Sequence, residues 1–108
     1  MSLGNADPMT LQGLTDAVRR RAERNPKLDA KVKFDLGADG IVFWDGTRHP
    51  PVVTNCDGDA DTVLFMSAQN LGRLVEGTLD PTVAFMTGKL KVKGDLSIAI
   101  KLGAMLEE

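Results

Sequence analysis

The sequence has 108 residues, a net charge of −2 at neutral pH, and 43% hydrophobic and 26% charged residues. This length suits a single domain, and the composition is that of a packed globular protein rather than a disordered chain. The acidic balance and the low aromatic content, four Phe and one Trp without Tyr, give no support to a nucleic-acid partner.

The first predicted element is a helix over residues 10–24. Leu11, Leu14, Val18 and Ala22 recur at helical spacing and form one narrow apolar face. We therefore expect a surface helix that buries a single side.

Strands are predicted next, over 30–36, 41–44, 51–54 and 62–66. The first alternates apolar and polar residues strictly and forms a hairpin with the second across a Gly-rich turn. The fourth, TVLFM, is apolar at consecutive positions, which predicts that both of its faces are covered.

Helices dominate the last third of the chain. A helix capped by Ser67 and closed by Gly77 precedes a short helix over 81–87, a strand around 90–92 and a final helix over 96–106. This order predicts an α+β fold, with a mainly antiparallel sheet that helices cover on one face.

The final helix is apolar over most of its circumference. Ser97, Lys101 and Glu108 share one narrow arc, and apolar residues occupy nearly all the rest. A surface helix needs an apolar stripe of a little over about 100°, and this one is roughly twice as wide. Something besides the sheet must therefore cover its second apolar side.

No group of residues predicts catalysis. His49 lies beside two prolines in a turn, without a nearby nucleophile, and Cys56 lies among acidic residues, which disfavour its thiolate. The sequence DGDAD at 57–61 lacks the Gly and Glu that a calcium loop needs at its sixth and twelfth positions. We expect no enzymatic activity, no metal and no cofactor.

A run of arginines marks the first helix. Arg19, Arg20, Arg21 and Arg24 form a basic cluster on an otherwise acidic chain. It predicts either a solvated helix face or a transient contact with an anionic membrane surface.

The stretch from Asp61 to Leu102 contains a motif that resembles the sterol carrier protein type-two family. The matching positions are Gly77, Leu79, Asp80, Pro81, Ala84, Phe85, Gly88, Lys89, Leu90, Val92, Gly94 and Asp95. A looser similarity extends over residues 10–106.

The resemblance implies a five-stranded, mostly antiparallel sheet with helices on one face and a hydrophobic tunnel between the two. It also implies binding of a fatty acid, a fatty acyl-CoA or a sterol-like lipid without chemical turnover. We expect one lipid-transfer-like domain over 1–108, flexible at 1–9, and a cytoplasmic location, which the single cysteine also fits.

The walls of the tunnel are predicted from the bulky apolar residues of the strands and helices. They are Phe34, Phe43, Val63, Phe65, Leu71, Leu74, Val75, Phe85, Met86, Leu90, Ile98, Ile100, Leu102, Met105 and Leu106. Met66, Met86 and Met105 are expected to let the cavity adapt to varied ligands. Lys89 and Lys101 are candidate contacts for a carboxylate or phosphate head group.

Another interpretation is an interaction module. The second apolar side of the final helix would then pack against another copy of the chain, giving a homodimer, or against a partner enzyme. Light scattering and ligand binding distinguish these alternatives.

Overall fold

A computed structural model describes residues 10–106, and the expectation of flexibility at 1–9 lies outside this range. The elements are, in chain order, α1 (Leu11–Arg24), β1 (Lys31–Asp35), a 3-10 turn (Gly37–Asp39), β2 (Ile41–Asp45), β3 (Val52–Thr54), β4 (Thr62–Phe65), α2 (Ala68–Glu76), α3 (Pro81–Met86), β5 (Lys91–Gly94) and α4 (Leu96–Leu106). Every element predicted from the sequence is present, with bounds that differ by one or two residues.

The five strands form one mixed sheet in the order β3-β2-β1-β4-β5. Three of its four pairings are antiparallel, and β1 with β4 is parallel. The parallel pair places Phe34 opposite Leu64, and β5 then places Val92 beside Leu64. The predicted α+β fold with a five-stranded, mostly antiparallel sheet is confirmed.

One face of the sheet is buried under the helices. Val32, Phe34, Val42, Trp44 and Leu64 have at most 2% of their surface exposed, as alternation along each strand requires. α1 packs on β2 and β3, and α4 packs on β4 and β5. The buried residues form the hydrophobic core.

The opposite face of the sheet is open, so the expectation that β4 is covered on both faces is wrong. Phe65 is 38% exposed, and Val63 is only partly buried. Lys33 and Lys93 flank Val63 on the neighbouring strands. Lysine stems can shield apolar surface while their ammonium groups stay in water, which makes an apolar residue tolerable there.

The helix termini follow the expected local chemistry. The Thr10 hydroxyl accepts a hydrogen bond from Gly13 N at 3.0 Å, and the Ser67 hydroxyl accepts one from Asn70 N at 3.0 Å. Gly77 ends α2 in the left-handed conformation, with φ +80°. The Thr10 and Ser67 side chains satisfy backbone N–H groups that the start of a helix leaves unpaired.

Arg21 joins three helices through its guanidinium group. Nη2 donates to the Val75 carbonyl at the end of α2 (2.5 Å), and Nε donates to the Leu106 carbonyl at the end of α4 (3.2 Å). Cations are favoured at helix C-termini, where carbonyl groups lack intrahelical partners. Arg21 therefore fixes α1 against the ends of α2 and α4.

None of the helices described between residues 10 and 106 has the length and apolarity that crossing a bilayer requires.

Candidate ligand-binding cavity

The segment between α2 and β5 is shaped by Asp80, Pro81 and Gly88. Asp80 Oδ1 accepts hydrogen bonds from Thr82 N (2.8 Å) and Val83 N (3.2 Å), and Pro81 occupies the first turn of α3, where no N–H is needed. Gly88 then adopts φ +77°, which glycine reaches without strain. This turn directs the chain from α3 back to the edge of the sheet.

Gly94 and Asp95 connect β5 to α4. Gly94 has φ +103°, and a Cβ at this position would lie 2.5 Å from the Asp61 carbonyl oxygen, closer than real Cβ contacts. Asp95 N donates to that same oxygen at 3.1 Å, and Asp95 Oδ1 accepts from Ser97 N at 2.9 Å. Asp95 therefore caps α4 while Gly94 allows it to start close against β4.

A cavity of about 480 Å³ lies between these elements and the sheet. It is lined by Leu64, Met66, Leu74, Pro81, Thr82, Phe85, Leu90, Val92, Leu96, Ala99, Ile100, Gly103, Ala104 and Leu106. Among residues 10–106, Thr82 is the one lining residue with a polar side chain. The volume falls within the roughly 300–1,000 Å³ of small-molecule sites, and the lining suits an apolar ligand.

The two apolar sides of α4 have different surroundings. Leu102 is fully buried, and Ile98 and Met105 pack against the core beside it. Leu96 and Ile100, on the other side, line the cavity and are 49% and 69% exposed. The cavity is therefore open to solvent along this second side.

Small residues on α4 make room for the cavity. Ala99, Gly103 and Ala104 line it, and a Cβ on Gly103 would lie 3.2 Å from Cβ of Pro81. The backbone of α4 thus approaches α3 closely at Gly103.

The structure brings five of the fifteen predicted wall residues together around the cavity: Leu74, Phe85, Leu90, Ile100 and Leu106. Phe34, Leu71, Val75 and Leu102 are buried in the core, and Ile98 and Met105 pack against it. Phe43, Val63 and Phe65 lie on the opposite face of the sheet, because they alternate with the buried residues of β2 and β4. Met86 is 77% exposed and outside the lining.

Sequence reasoning missed eight lining residues: Leu64, Pro81, Thr82, Val92, Leu96, Ala99, Gly103 and Ala104. Met66, expected to let the cavity adapt, does line it. For the two strand residues, Leu64 and Val92, a signal was present in the sequence. Leu64 alternates with Val63, and Val92 alternates with two lysines, so each points to the opposite face of the sheet from its neighbours. Ala99, Gly103 and Ala104 lack the bulky side chains from which the cavity walls were predicted.

The predicted charged contacts are also distributed differently. Lys89 and Lys101 are exposed and lie outside the lining. Arg19 bonds to Asp16 (2.8 Å) and to the Val53 carbonyl (2.9 Å). Arg21 donates hydrogen bonds to the carbonyl groups at the ends of α2 and α4. Arg20 and Arg24 are therefore the exposed members of the basic cluster on α1.

The polar loop residues lie away from the cavity. His49 and Cys56 are exposed, and residues 10–106 contain no group of three His, Cys, Asp or Glu side chains that could hold a metal ion. A hydrogen bond from Lys33 Nζ to Asp57 Oδ1 (2.7 Å) lowers the pKa of Asp57. A hydrogen bond from the Thr47 hydroxyl, together with one from Thr47 N, lowers the pKa of Asp45.

An apolar cavity between a mixed sheet and its covering helices is typical of a small-molecule binding domain. The model of the SCP-2 sterol transfer family matches residues 12–107. The chain belongs to this family, as the motif at 77–95 predicted, and membership implies lipid binding or transfer in general. The family's domain is a lipid-binding fold that is generally not catalytic.

Several known proteins are similar to the chain. "Hydroxysteroid dehydrogenase-like protein 2" of Danio rerio is 43% identical over 84 residues, which are 68% of this chain and 19% of that protein. Its counterpart of Bos taurus is 45% identical over 49 residues, 45% of this chain and 12% of that protein. The chain therefore spans less than a fifth of the length of these relatives.

Among solved structures, the apo form of sterol carrier protein 2 from Yarrowia lipolytica is similar, with a TM-score of 0.72 and 30% identity, over 99% of this chain and 96% of that one. Sterol carrier protein domain 2 of Helicoverpa armigera has a TM-score of 0.71 at 21% identity, over 98% and 92% of the two chains. The second likeness supports the fold alone.

Proposed function

We propose that the chain binds the acyl chain of a fatty acid or fatty acyl-CoA in the cavity beside α4 and carries it without chemical change. The observation that supports this most directly is the second apolar side of α4. It lines a cavity in which Thr82 supplies the only polar side chain from the described part of the chain. An apolar ligand would remove this surface from water, which stabilises the complex by about 25 cal/mol per Å².

The shape of the lining favours a long, flexible chain over a rigid ligand. Ala99 and Gly103 lie one turn apart on α4 and leave a furrow between Leu96 and Leu106. The helix is roughly 16 Å long, at about 1.5 Å per residue, so an extended chain of many methylenes fits along it. Each buried CH₂ contributes about 0.8 kcal/mol before the costs of ordering the ligand.

The head group would remain at the open side. Phe85, Leu96 and Ile100 line the cavity there, and between 48% and 69% of the surface of each is exposed to solvent. A carboxylate placed there keeps its hydration, so the cavity needs no buried charged partner. Lys89 and Lys101 stay predictions as head-group contacts, since neither lines the cavity.

Titration of the delipidated protein with a fluorescent fatty acid tests the proposal, and native mass spectrometry gives the stoichiometry. We expect one ligand per chain. Palmitate and palmitoyl-CoA should displace the probe, and cholesterol should do so more weakly. An unchanged signal with all three competitors contradicts the proposal, and preferential displacement by cholesterol would replace the acyl ligand with a sterol.

A pair of α4 variants locates the site. Ile100→Asp places a charge on an exposed lining position, so it should leave the fold intact and weaken fatty-acid binding at least tenfold, by about 1.4 kcal/mol or more. Ser97→Asp adds the same charge on α4 outside the lining and should bind as the unaltered chain does. Equal losses in both variants would place the ligand elsewhere.

A second candidate function is docking through α4 to another copy or to an enzyme. The exposure of Leu96 and Ile100 supports it, and so does the greater length of the relatives that carry a similar segment. Light scattering at several protein concentrations, with and without fatty acid, tests the homodimer. A dimer that persists while no lipid binds would favour this function over lipid carriage.

We also propose that α1 contacts an anionic membrane surface through its exposed arginines. Arg20 and Arg24 are the exposed arginines of this helix, and Glu23 lies between them in sequence. Arg20→Glu combined with Arg24→Glu should weaken binding to anionic vesicles if α1 is the contact.

A further inference from the structure

We infer that Arg21 sets the inner end of the cavity and, through it, the length of acyl chain that the cavity accepts. The inference rests on the proposed function, since it concerns the same site and the same ligand. Arg21 lies outside the cavity lining, so it is a positioning residue that acts through the two helix ends that it joins.

The cavity has an exposed end and a buried end along α4. Leu96, the first residue of this helix, is 49% exposed, whereas Leu106, its last residue, is 2% exposed, and both line the cavity. Leu74 of α2 also lines the cavity and is 2% exposed. The inner end is defined here as Leu74 and Leu106. An acyl chain with its head group in water beside Leu96 would point its methyl group towards this inner end.

The inner end is held from outside the cavity by one guanidinium group. Arg21 Nε donates to the carbonyl of Leu106 at 3.2 Å, and Nη2 donates to the carbonyl of Val75, the residue after Leu74, at 2.5 Å. Nη1 donates to the Ala17 carbonyl at 3.3 Å, which anchors the group on α1. Because the guanidinium is planar and rigid, its shape fixes the distance between the ends of α2 and α4.

Loss of this group should loosen the inner end. The carbonyl groups of Val75 and Leu106 lie in the last turns of their helices, where intrahelical donors are lacking. Without Arg21 they need water as a donor, because an unpaired buried carbonyl is costly. Water reaches them only if the two helix ends separate, and a longer acyl chain then gains room between Leu74 and Leu106.

A role in stability alone would leave ligand preference unchanged. A destabilised variant contains fewer folded molecules, but those molecules bind long and short acyl chains in the same ratio as before. The ratio of affinities for a long and a short fatty acid therefore distinguishes a positioning role from a merely structural one.

A homologous series of fatty acids tests the inference. Straight-chain acids from laurate to behenate compete with the fluorescent fatty acid for the full, delipidated chain. Each methylene that the cavity covers should raise affinity about fourfold, until the methyl group meets the inner end and the affinity reaches a plateau. In Arg21→Met the plateau should move to a longer acid, and the ratio of affinities for behenate and laurate should rise at least about fourfold.

Matched variants assign the effect to the guanidinium group. Arg21→Lys keeps the charge but loses the fork, so it should move the plateau as Arg21→Met does. Leu106→Ala shortens the inner end itself and should move the plateau in the same direction. Arg20→Met makes the same change at an exposed position of α1 and should leave the plateau in place. An equal movement in Arg20→Met overturns the inference.

The inference and the proposed function fail in different ways. If the unaltered chain binds none of the acids, the proposed function fails and the inference fails with it. If the chain binds them with an affinity that still rises at behenate, no inner end limits the ligand and the inference alone is overturned. A plateau that stays in place in both Arg21→Met and Arg21→Lys has the same consequence, and lipid binding then stands.

Discussion

Gly103 of α4 lies against Pro81 of α3, so closely that a Cβ on Gly103 would stand 3.2 Å from the Cβ of Pro81. Both residues line the cavity. This contact sets how closely α3 and α4 approach each other. Because residue 103 is a glycine, α4 presents no side chain at this point.

Filling this furrow should block the ligand. Ala99→Leu places a branched side chain at a lining position one turn from Gly103, where several ligand methylenes would lie at about 0.8 kcal/mol each, so we expect fatty-acid affinity to fall at least about tenfold. Circular dichroism checks that the helices form. Ser97→Leu, outside the lining, is the control, and unchanged affinity in Ala99→Leu would show that the ligand does not use this furrow.

The start of α4 depends on Gly94. Gly94→Ala would place its Cβ 2.5 Å from the Asp61 carbonyl oxygen and would also strain φ, so we expect a loss of at least about 3 kcal/mol in the free energy of unfolding. Gly77→Ala is the comparison, because Gly77 has a positive φ but open space around it, and it should lose only about 1–2 kcal/mol. Urea unfolding measures both. Equal losses would mean that strain in φ alone, without the contact to Asp61, decides the cost.

Arg21 should contribute to stability through the helix ends that it joins. Arg21→Lys cannot reach both the Val75 and Leu106 carbonyls with one ammonium, so we expect a loss of about 1–2 kcal/mol in urea unfolding. Arg20→Lys, on the exposed side of α1, should change stability by less than about 0.5 kcal/mol. A matching loss in the two variants would contradict this role.

Acid sensitivity should trace partly to Asp45. Its pKa in the folded chain is held below the ordinary 3.8, chiefly by the Thr47 hydroxyl, so its contribution to stability is present above that value and is lost as pH falls through the folded pKa. Thr47→Val should raise this pKa, and its destabilisation should shrink as the pH falls below about 4. NMR titration of the Asp45 carboxyl, with Thr47→Ser as the control, measures the change. A pKa unaltered in Thr47→Val would contradict it.

The elements and their order could be predicted from the sequence because local chemistry determines them. The narrow face of α1 is buried at Leu14, Val18 and Ala22, as its spacing indicated. Asp80 and Asp95 cap helices through their own side chains, a short-range effect that sequence displays directly.

The cavity could be predicted only in part because its walls depend on strand pairing. β4 has apolar residues on both faces, so its sequence alone does not tell Leu64 from Phe65. Pairing with β1 places Leu64 beside buried Phe34 and leaves Phe65 on the open face. The width of the apolar surface on α4 did indicate a second apolar side besides the one that packs on the sheet, and the cavity lies along it.

The motif from Gly77 to Asp95 mainly builds turns, caps and close backbone contacts, as Gly88, Gly94 and Asp95 illustrate. Much of the cavity wall is supplied by other positions, among them Leu64, Leu96, Ile100 and Ala104. Ligand preference can therefore be altered at these positions while the frame that holds them remains. A chain built in this way can acquire a different cargo without having to fold differently.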